Sequence, residues 1–304
     1  MNAMLPDAKP TNAQVLDALF HPLGADGVYG RTGAYESVID GLNGFITRMR
    51  EGEVEVLRFP PVVPRALIEK SGYLKSFPNL LGCVCALSGD EPTLLAAAAR
   101  AANGEVWTDA LAASELVLAP AACYPAYAIL AKRGQLPAKG HVFDVACDCF
   151  RREPSRDIDR FQSFRMREFV MIGAADDVGA FRQRWLDRAG PIADALGLDH
   201  SVDAANDPFF GRGGILVARA QLAEQLKFEL LIPIKENGGP TACMSFNSHR
   251  DHFGATWDLR DSAGEVAHSA CVAFGMDRLA VALFAKHGLD TQRWPGGVKA
   301  RLGI

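Results

Sequence analysis

Between Cys147 and Gly173 the chain alternates at period two, and no other stretch constrains the fold so tightly. Cys147, Cys149, Arg151 and Glu153 fall on alternate positions, and so do Phe164, Met166, Glu168, Val170 and Ile172. Alternation puts each set on one face of a strand. Between them Pro154 to Ser163 is rich in Pro, Ser, Asp and Arg, with no apolar run until Phe161. The pattern predicts an antiparallel hairpin with a long, mobile tip. One face of it gathers Arg, two Glu and Phe. Opposite charges beside an aromatic ring on an inner face are costly unless a ligand or partner meets them. A solvated hairpin laced with ion pairs is the alternative.

The other elements follow from similar signals. Val38, Leu42, Phe45, Ile46 and Met49 form a helical stripe between Tyr35 and Arg50. A strand then runs to Pro60 and Pro61, where it must stop. Ala66 to Leu81 reads as a short helix, a glycine break and a polar turn. Cys83 to Asp90 reads as a strand, and the alanine-rich run from Leu94 as a helix. A strand ends at Pro120, and a helix starts near Tyr124. Ala180 to Leu198 and Ile215 to Leu231 read as helical, and Thr241 to Asp261 as mostly strand, broken at Gly254. Glu265 to Gly288 is a strand that turns through Gly275 into a helix. The glycines at 24, 27, 30 and 33 are spaced like a phosphate cradle, but no Lys-Ser/Thr follows and no strand precedes, so this is a flexible loop. Successive hairpin-linked strands with helices around them predict an α+β fold on a mainly antiparallel sheet flanked by helices. The expected organisation is a frayed tail over 1–14 and one domain over 15–304, with a helical insertion near 176–230.

Composition narrows the function. A net charge of −4 over 304 residues shows no basic excess, which weighs against a nucleic-acid substrate. No apolar run reaches membrane-spanning length, and the first residues lack a basic-then-apolar export signal. Seven cysteines cannot all pair within one chain, so reduced thiols in the cytoplasm, core packing or metal ligation are their expected uses. Cys83/Cys85 and Cys147/Cys149 could each present two thiols from one strand face; their small apolar neighbours favour burial.

Arg278 opens the last predicted helix, where a cation opposes the helix dipole. With Leu279, Val281, Leu283 and Phe284 around it, it needs an anion: a phosphate, or a carboxylate such as Asp277.

Here the residues carry a resemblance. Phe150-Arg151-Arg152-Glu153, the loop and the second strand resemble motif 2 of class II aminoacyl-tRNA synthetases. Gly275-Met276-Asp277-Arg278-Leu279 resembles motif 3, and the helix, strand and Pro60-Pro61 resemble motif 1. Glu69 to Leu81 is similar to the segment that follows in seryl- and prolyl-type enzymes. The resemblance implies an antiparallel catalytic sheet and a homodimer formed through motif 1. It implies ATP as substrate with Mg²⁺, Arg151 on the α-phosphate and Glu153 on the adenine side. It also implies Phe164 or Phe161 stacked on adenine, Arg278 on the other face, and Arg160 as a further phosphate contact. Ala242, Cys243, Met244 and Ser245 stand where seryl enzymes carry an acid-Ile-Ser-Ser run that helps hold Mg²⁺, which leaves the Mg²⁺ ligands open.

With the core-like motifs spread over nearly the whole chain, no tRNA-holding domain of the kind those enzymes carry is expected. This truncated, seryl-like pattern resembles the bacterial amino acid:[carrier protein] ligases, which charge a phosphopantetheine thiol. The resemblance implies activation of a small amino acid (glycine, alanine or serine) as the adenylate and its transfer to a carrier protein. It further implies Glu168 and Asn247 as substrate contacts and one Zn²⁺ per subunit on Cys123, Glu168 and Cys271, with an open position for the α-amino group. Cys243, Met244, Phe246 and Asn247 are expected on the pocket floor. A minimal tRNA ligase and a catalytically silent paralogue are the other readings. For a carrier partner, Gly211 to Lys235 holds four basic and two acidic residues. On a helical wheel Arg212, Arg219 and Lys227 share one side, beside Ile215, Leu222 and Leu226. This is a docking helix or a solvated face.

Overall fold

The structure is a computed structural model and describes residues 9–304. Its main sheet has seven strands: β1 (Glu55–Arg58), β2 (His141–Phe150), β3 (Ser163–Gly173), β4 (Ser201–Ala204), β5 (Lys227–Ile232), β6 (Thr241–Arg250) and β7 (His268–Gly275). They lie in the order β1-β2-β3-β7-β6-β5-β4, and only the β1–β2 pair is parallel. The hairpin expected from alternation is β2–β3, paired from His141↔Ile172 to Phe150↔Ser163. Two small sheets flank this one: Phe20–Pro22 with Tyr29–Arg31, and Val62–Pro64, Leu111–Leu118 and Cys83–Leu87.

Strand alternation divides the core. Phe169, Met171, Val272, Phe274, Phe246 and Leu230 point to one face and are covered by helices α1 (Gly33–Arg48), α4 (Ala175–Asp187) and α6 (Met276–His287). Phe143, Val145, Val170 and Cys271 point to the other, where Ala126, Tyr127 and Leu130 of α3 (Tyr124–Ala131) meet them. Between Lys70 and Tyr73 the chain turns through Gly72 at φ +77°, a conformation glycine adopts without a Cβ penalty, and short helix α2 (Tyr73–Ser76) follows. No helix among the described residues is long and apolar enough to cross a membrane.

Several expectations need correction. The loop from His21 to Gly33 contains a hairpin whose Arg31 reaches the Ser163 carbonyl at 3.1 Å. Its isolated strands are three residues each, too short for a periodic signal. The tip of the central hairpin is tethered. Ile158 is buried, Gln162 N–H donates to Gly27 O at 2.9 Å, and Arg156 pairs with Asp26 at 3.0 Å. Ile215 to Leu231 is not one helix: α5 (Gly211–Ala223) ends, Gln225 takes φ +49°, and Lys227 begins β5. The segment near 176–230 therefore mixes helices with the edge strand β4 and the start of its neighbour β5. Gly254 lies inside a short helix, His252–Trp257, pressed against the backbone of Ala267. Cys83 and Cys85 are exposed, whereas Cys147 and Cys149 are buried with sulfurs 3.5 Å apart. Residues 1–8 of the expected tail lie outside the described residues; from Asn12 the chain is helical, closed by a Thr11–Gln14 capping box.

A fully buried carboxylate ties the motif-1-like elements to the sheet. Asp144 of β2 accepts from Arg167 Nε at 2.9 Å, Arg50 Nε at 2.7 Å and Arg58 Nη1 at 3.1 Å. Arg167, also buried, donates onward to Asn43 O and Thr47 Oγ1 of α1. Burial pushes the Asp144 pKa up, but Arg167, Arg50 and Arg58 outweigh it and hold it below the ordinary value. Asp144→Ala leaves a buried guanidinium unpaired and should cost about 3–5 kcal/mol in urea unfolding. The depressed pKa makes this stabilisation complete above the usual carboxylate range, around pH 4, and lost as pH falls through the folded value. The variant should therefore lose part of the wild-type acid dependence below that pH; an unchanged acid limb would refute the assignment.

Candidate active site

The end of the β2–β3 hairpin and the β7–α6 turn enclose a cleft lined by Arg151, Glu153, Phe161, Phe164, Met166 and Arg278. A larger cavity, of about 230 Å³, lies elsewhere, between Lys9, Ile232 and Lys286, and none of the predicted site residues line it. We place the chemistry in the first because its charged groups converge there.

Arg151 is fixed by donation from Nε to Pro120 O at 3.0 Å, and its guanidinium lies 5.4 Å from the Phe164 ring centroid. Arg160 is held toward the cleft by Glu153 at 2.9 Å. Arg278 uses two donors on carbonyls, Nε to Asp159 O and Nη1 to Ala242 O, both 2.9 Å. No carboxylate among the described residues forms an ion pair with it, though the charge of Asp159 acts on it. Burial lowers its pKa, and the charges of Arg160 and Arg151 lower it further against Cys243 and Asp159. Three guanidiniums gathered at one aromatic-lined cleft suit a polyanion with a planar ring. Phe164 is half-exposed, whereas Phe161 is packed against Phe20 and Tyr29 with centroids 5.2 and 5.6 Å away, so Phe164 is the ring free to stack.

Asp277 is buried and turns away from Arg278. It accepts from Tyr35 Oη at 2.9 Å, from Arg165 N and Nη2 at 2.5 and 2.8 Å, and pairs with Arg31 at 3.4 Å. The carboxylate that sequence offered to Arg278 thus holds β3 against α6. Asp159, in the loop, accepts from Thr241 Oγ1 at 2.6 Å through one oxygen, while its Oδ1 has no partner among the described residues.

Further along the same sheet face, the pairs Ala273↔Glu168, Ser245↔Ala273 and Asn247↔Cys271 align Glu168, Ser245, Asn247 and Cys271. Cys123, at the start of α3, joins them. Its N–H and that of Ala122 donate to Glu168 Oε1 at 3.1 and 2.9 Å. The Cys271 thiol, burial and Glu168 push Cys123 well up. Burial raises Glu168 as well, against hydrogen bonds from both thiols. The bond from Cys123 lowers Cys271, but burial and Glu168 outweigh it. Asn247 Nδ2 donates to Cys271 at 3.3 Å and His249 Nε2 lies 3.7 Å from it. The three acids are adjacent and buried without a cation. Even so, no group of three or more His, Cys, Asp or Glu among the described residues is arranged to hold a metal ion.

Other expected residues fall differently. Met244 and Phe246 pair with Phe274 and Val272 on the helix-covered face, so these two do not floor the pocket; Cys243, buried, alternates with them and lies beside Arg278. Lys227 leaves the docking set: it lies on β5, buried, bonded to Asp207 at 2.6 Å and Glu229 at 2.9 Å. Arg212 and Arg219 are exposed on α5. Sequence reading missed Asp207, Glu229, Tyr73 and Asp159. The Lys227-Phe228-Glu229-Leu230 alternation was the one signal that could have placed Glu229 on a strand.

The same architecture occurs in an M. kandleri SerRS solved in complex with A. aeolicus tRNASec, with a TM-score of 0.83 over 99% of this chain at 21% identity; the chain spans 61% of that one. The fold is therefore the class II aminoacyl-tRNA synthetase catalytic core. Two Bradyrhizobium diazoefficiens proteins are much nearer. Amino acid--[acyl-carrier-protein] ligase 2 is 60% identical over 98% of this chain and 89% of its own, and ligase 1 is 57% identical over 99% and 95%. No family model matches the chain. On these relatives it belongs to the amino acid--[acyl-carrier-protein] ligases, a branch of the class II synthetase-like enzymes.

Proposed function

We propose that the protein activates a small amino acid with ATP and transfers it to the phosphopantetheine thiol of a carrier protein. The observation that carries this is the convergence of Arg151, Arg160 and Arg278 beside Phe164, in a chain whose near relatives are named for that ligation. An amino-acid carboxylate oxygen attacks the α-phosphorus of ATP, brought as its Mg²⁺ complex, and pyrophosphate leaves. Arg151 and Arg278 are placed to stabilise the charge on the transferring phosphate. The carrier thiolate then attacks the acyl carbon, and AMP leaves with the electron pair of the broken acyl–phosphate bond. No protein nucleophile is required. Glycine, alanine or serine suits the site, since Asn247 is bonded to Ser245 and Cys271, and Lys227 and Glu229 fill the space beyond. Amino-acid-dependent exchange of labelled pyrophosphate into ATP should be strong with these three. Efficient exchange with leucine or phenylalanine contradicts the small pocket, and no exchange with any amino acid contradicts adenylation.

We further propose Zn²⁺ as the resident ion on Cys123, Glu168 and Cys271: two thiols and a carboxylate buried together suit it in donor chemistry, although among the described residues the three are not arranged as a metal-binding group. These three residues would hold it, and when bound it supplies a Lewis-acid site for the substrate α-amino group. Cys123→Ser and Cys271→Ser should each lower zinc content by elemental analysis and abolish exchange. Full exchange by metal-free protein sinks the zinc assignment.

We place the carrier on α5. Arg212 and Arg219 are exposed there without an acidic residue in the helix, and Ile215, Leu216, Val217 and Leu222 are 44–68% exposed. Carrier proteins are acidic near their modified serine, and complementary charge sets on-rate and register. Arg219→Glu should slow thioester formation, most at low salt, and leave pyrophosphate exchange intact. Loss of both half-reactions together would mean the helix only supports the fold. A homodimer built on α1 and β1 completes the proposal; the exposed Val56 on edge strand β1 is consistent with it.

A further inference from the structure

Tyr73 opens α2, is 4% exposed, and its hydroxyl is buried with no hydrogen-bond partner among the described residues. Burying a hydroxyl unbonded is costly, and native structures rarely tolerate it without a reason. The ring is not loose. Tyr124 meets it edge-on at 5.9 Å and Phe77 at 5.3 Å, and Phe77 stacks in turn on Phe209 at 5.2 Å.

The segment that carries Tyr73 is hydrogen-bonded to the strand end that carries Arg151. After α2 the chain turns, Leu80 N–H donating to Phe77 O, and Arg152 N–H donates to Leu80 O at 2.9 Å, lacing this segment to the end of β2. Gly82 lies so close to the Phe150 ring that a Cβ there would stand 2.6 Å from it. Pro120 O, which anchors Arg151, lies three residues after Val117 and four before Tyr124. The charged groups felt by the Tyr73 hydroxyl are Arg151, Glu153 and Asp207. Burial raises its pKa to about 12, so the group is a donor at neutral pH.

We infer that Tyr73 is a further substrate-binding residue, whose O–H donates to an anionic oxygen held beside Arg151. Two sources carry that chemistry in the proposed reaction: the amino-acid carboxylate and the α-phosphate of ATP. The inference rests on the adenylation reading. A purely packing role is the competing account, and there the hydroxyl does nothing.

The test compares wild type with Tyr73→Phe and Tyr73→Leu by pyrophosphate exchange and thermal unfolding. Tyr73→Phe keeps the ring contacts and removes only an unbonded hydroxyl, so its Tm should be equal to or above that of the wild type, while kcat/KM for exchange falls roughly 10- to 100-fold, the effect of one lost donor to a charged group. A rise confined to the KM for the amino acid assigns the carboxylate. A rise confined to the KM for ATP assigns the phosphate, and a fall in kcat with both KM values unchanged assigns a bond made in the transition state. Tyr73→Leu should lose Tm as well. Exchange within twofold of wild type in a folded Tyr73→Phe overturns the inference alone. A lowered Tm in Tyr73→Phe overturns its premise, because the hydroxyl then has a partner in the free protein. Absence of exchange in the wild type overturns the adenylation reading, and this inference with it.

Discussion

One buried carboxylate, Asp277, makes the cleft possible. It draws Tyr35 from α1, Arg31 from the small hairpin and Arg165 from β3 onto the first turn of α6. A carboxylate at a helix N-terminus is favoured by the dipole, and here it is also paired with two guanidiniums. By consuming Asp277 on the structural side, the fold leaves its neighbour Arg278 hydrogen-bonded, among the described residues, to carbonyls, a cation available to an anion. Adjacent residues on one helical turn point in different directions, and the chain uses that divergence to separate scaffold from site.

A second charge cluster does related work at the far end of the hairpin. Asp144 and Arg167 close a network on α1 and β1, so the elements beside the proposed dimer face are bonded to the same two strands that carry Arg151 and Glu168. The two clusters bracket β3. Between them the strand is free to present Phe164, Met166 and Glu168 on its open face, with Arg165 and Arg167 anchored on the other.

Sequence made the hairpin and the β7–α6 turn legible, because period-two alternation and a glycine-led switch to helical spacing are local signals. From the same signals Arg151, Phe164 and Arg278 could be placed on their elements. The convergence of Cys123 with Glu168 and Cys271 was not local; it entered through the family resemblance, the sheet register aligns Glu168 with Cys271, and the Cys123 N–H bonds to Glu168. The α5–β5 boundary was lost because Leu222, Leu226 and Leu230 continue a helical stripe across a left-handed residue, Gln225, that no propensity foretells. The tethered hairpin tip was misread for a related reason: what holds Gln162 comes from Gly27, and what holds Asp159 comes from Thr241 and Lys235, all far off in sequence. Polar composition describes a loop's exposure in isolation, not its partners.

An enzyme that makes an activated acyl group keeps an electrophile beside its own side chains, and an amine is the nucleophile most at risk. Lys227 stands across from Asn247 on the open face of the sheet. Burial alone would strip its proton, but Asp207 and Glu229 outweigh burial and raise its pKa. Held as an ammonium between two carboxylates, it has no lone pair to offer, so the same pairing that shapes the pocket keeps it from acylating itself.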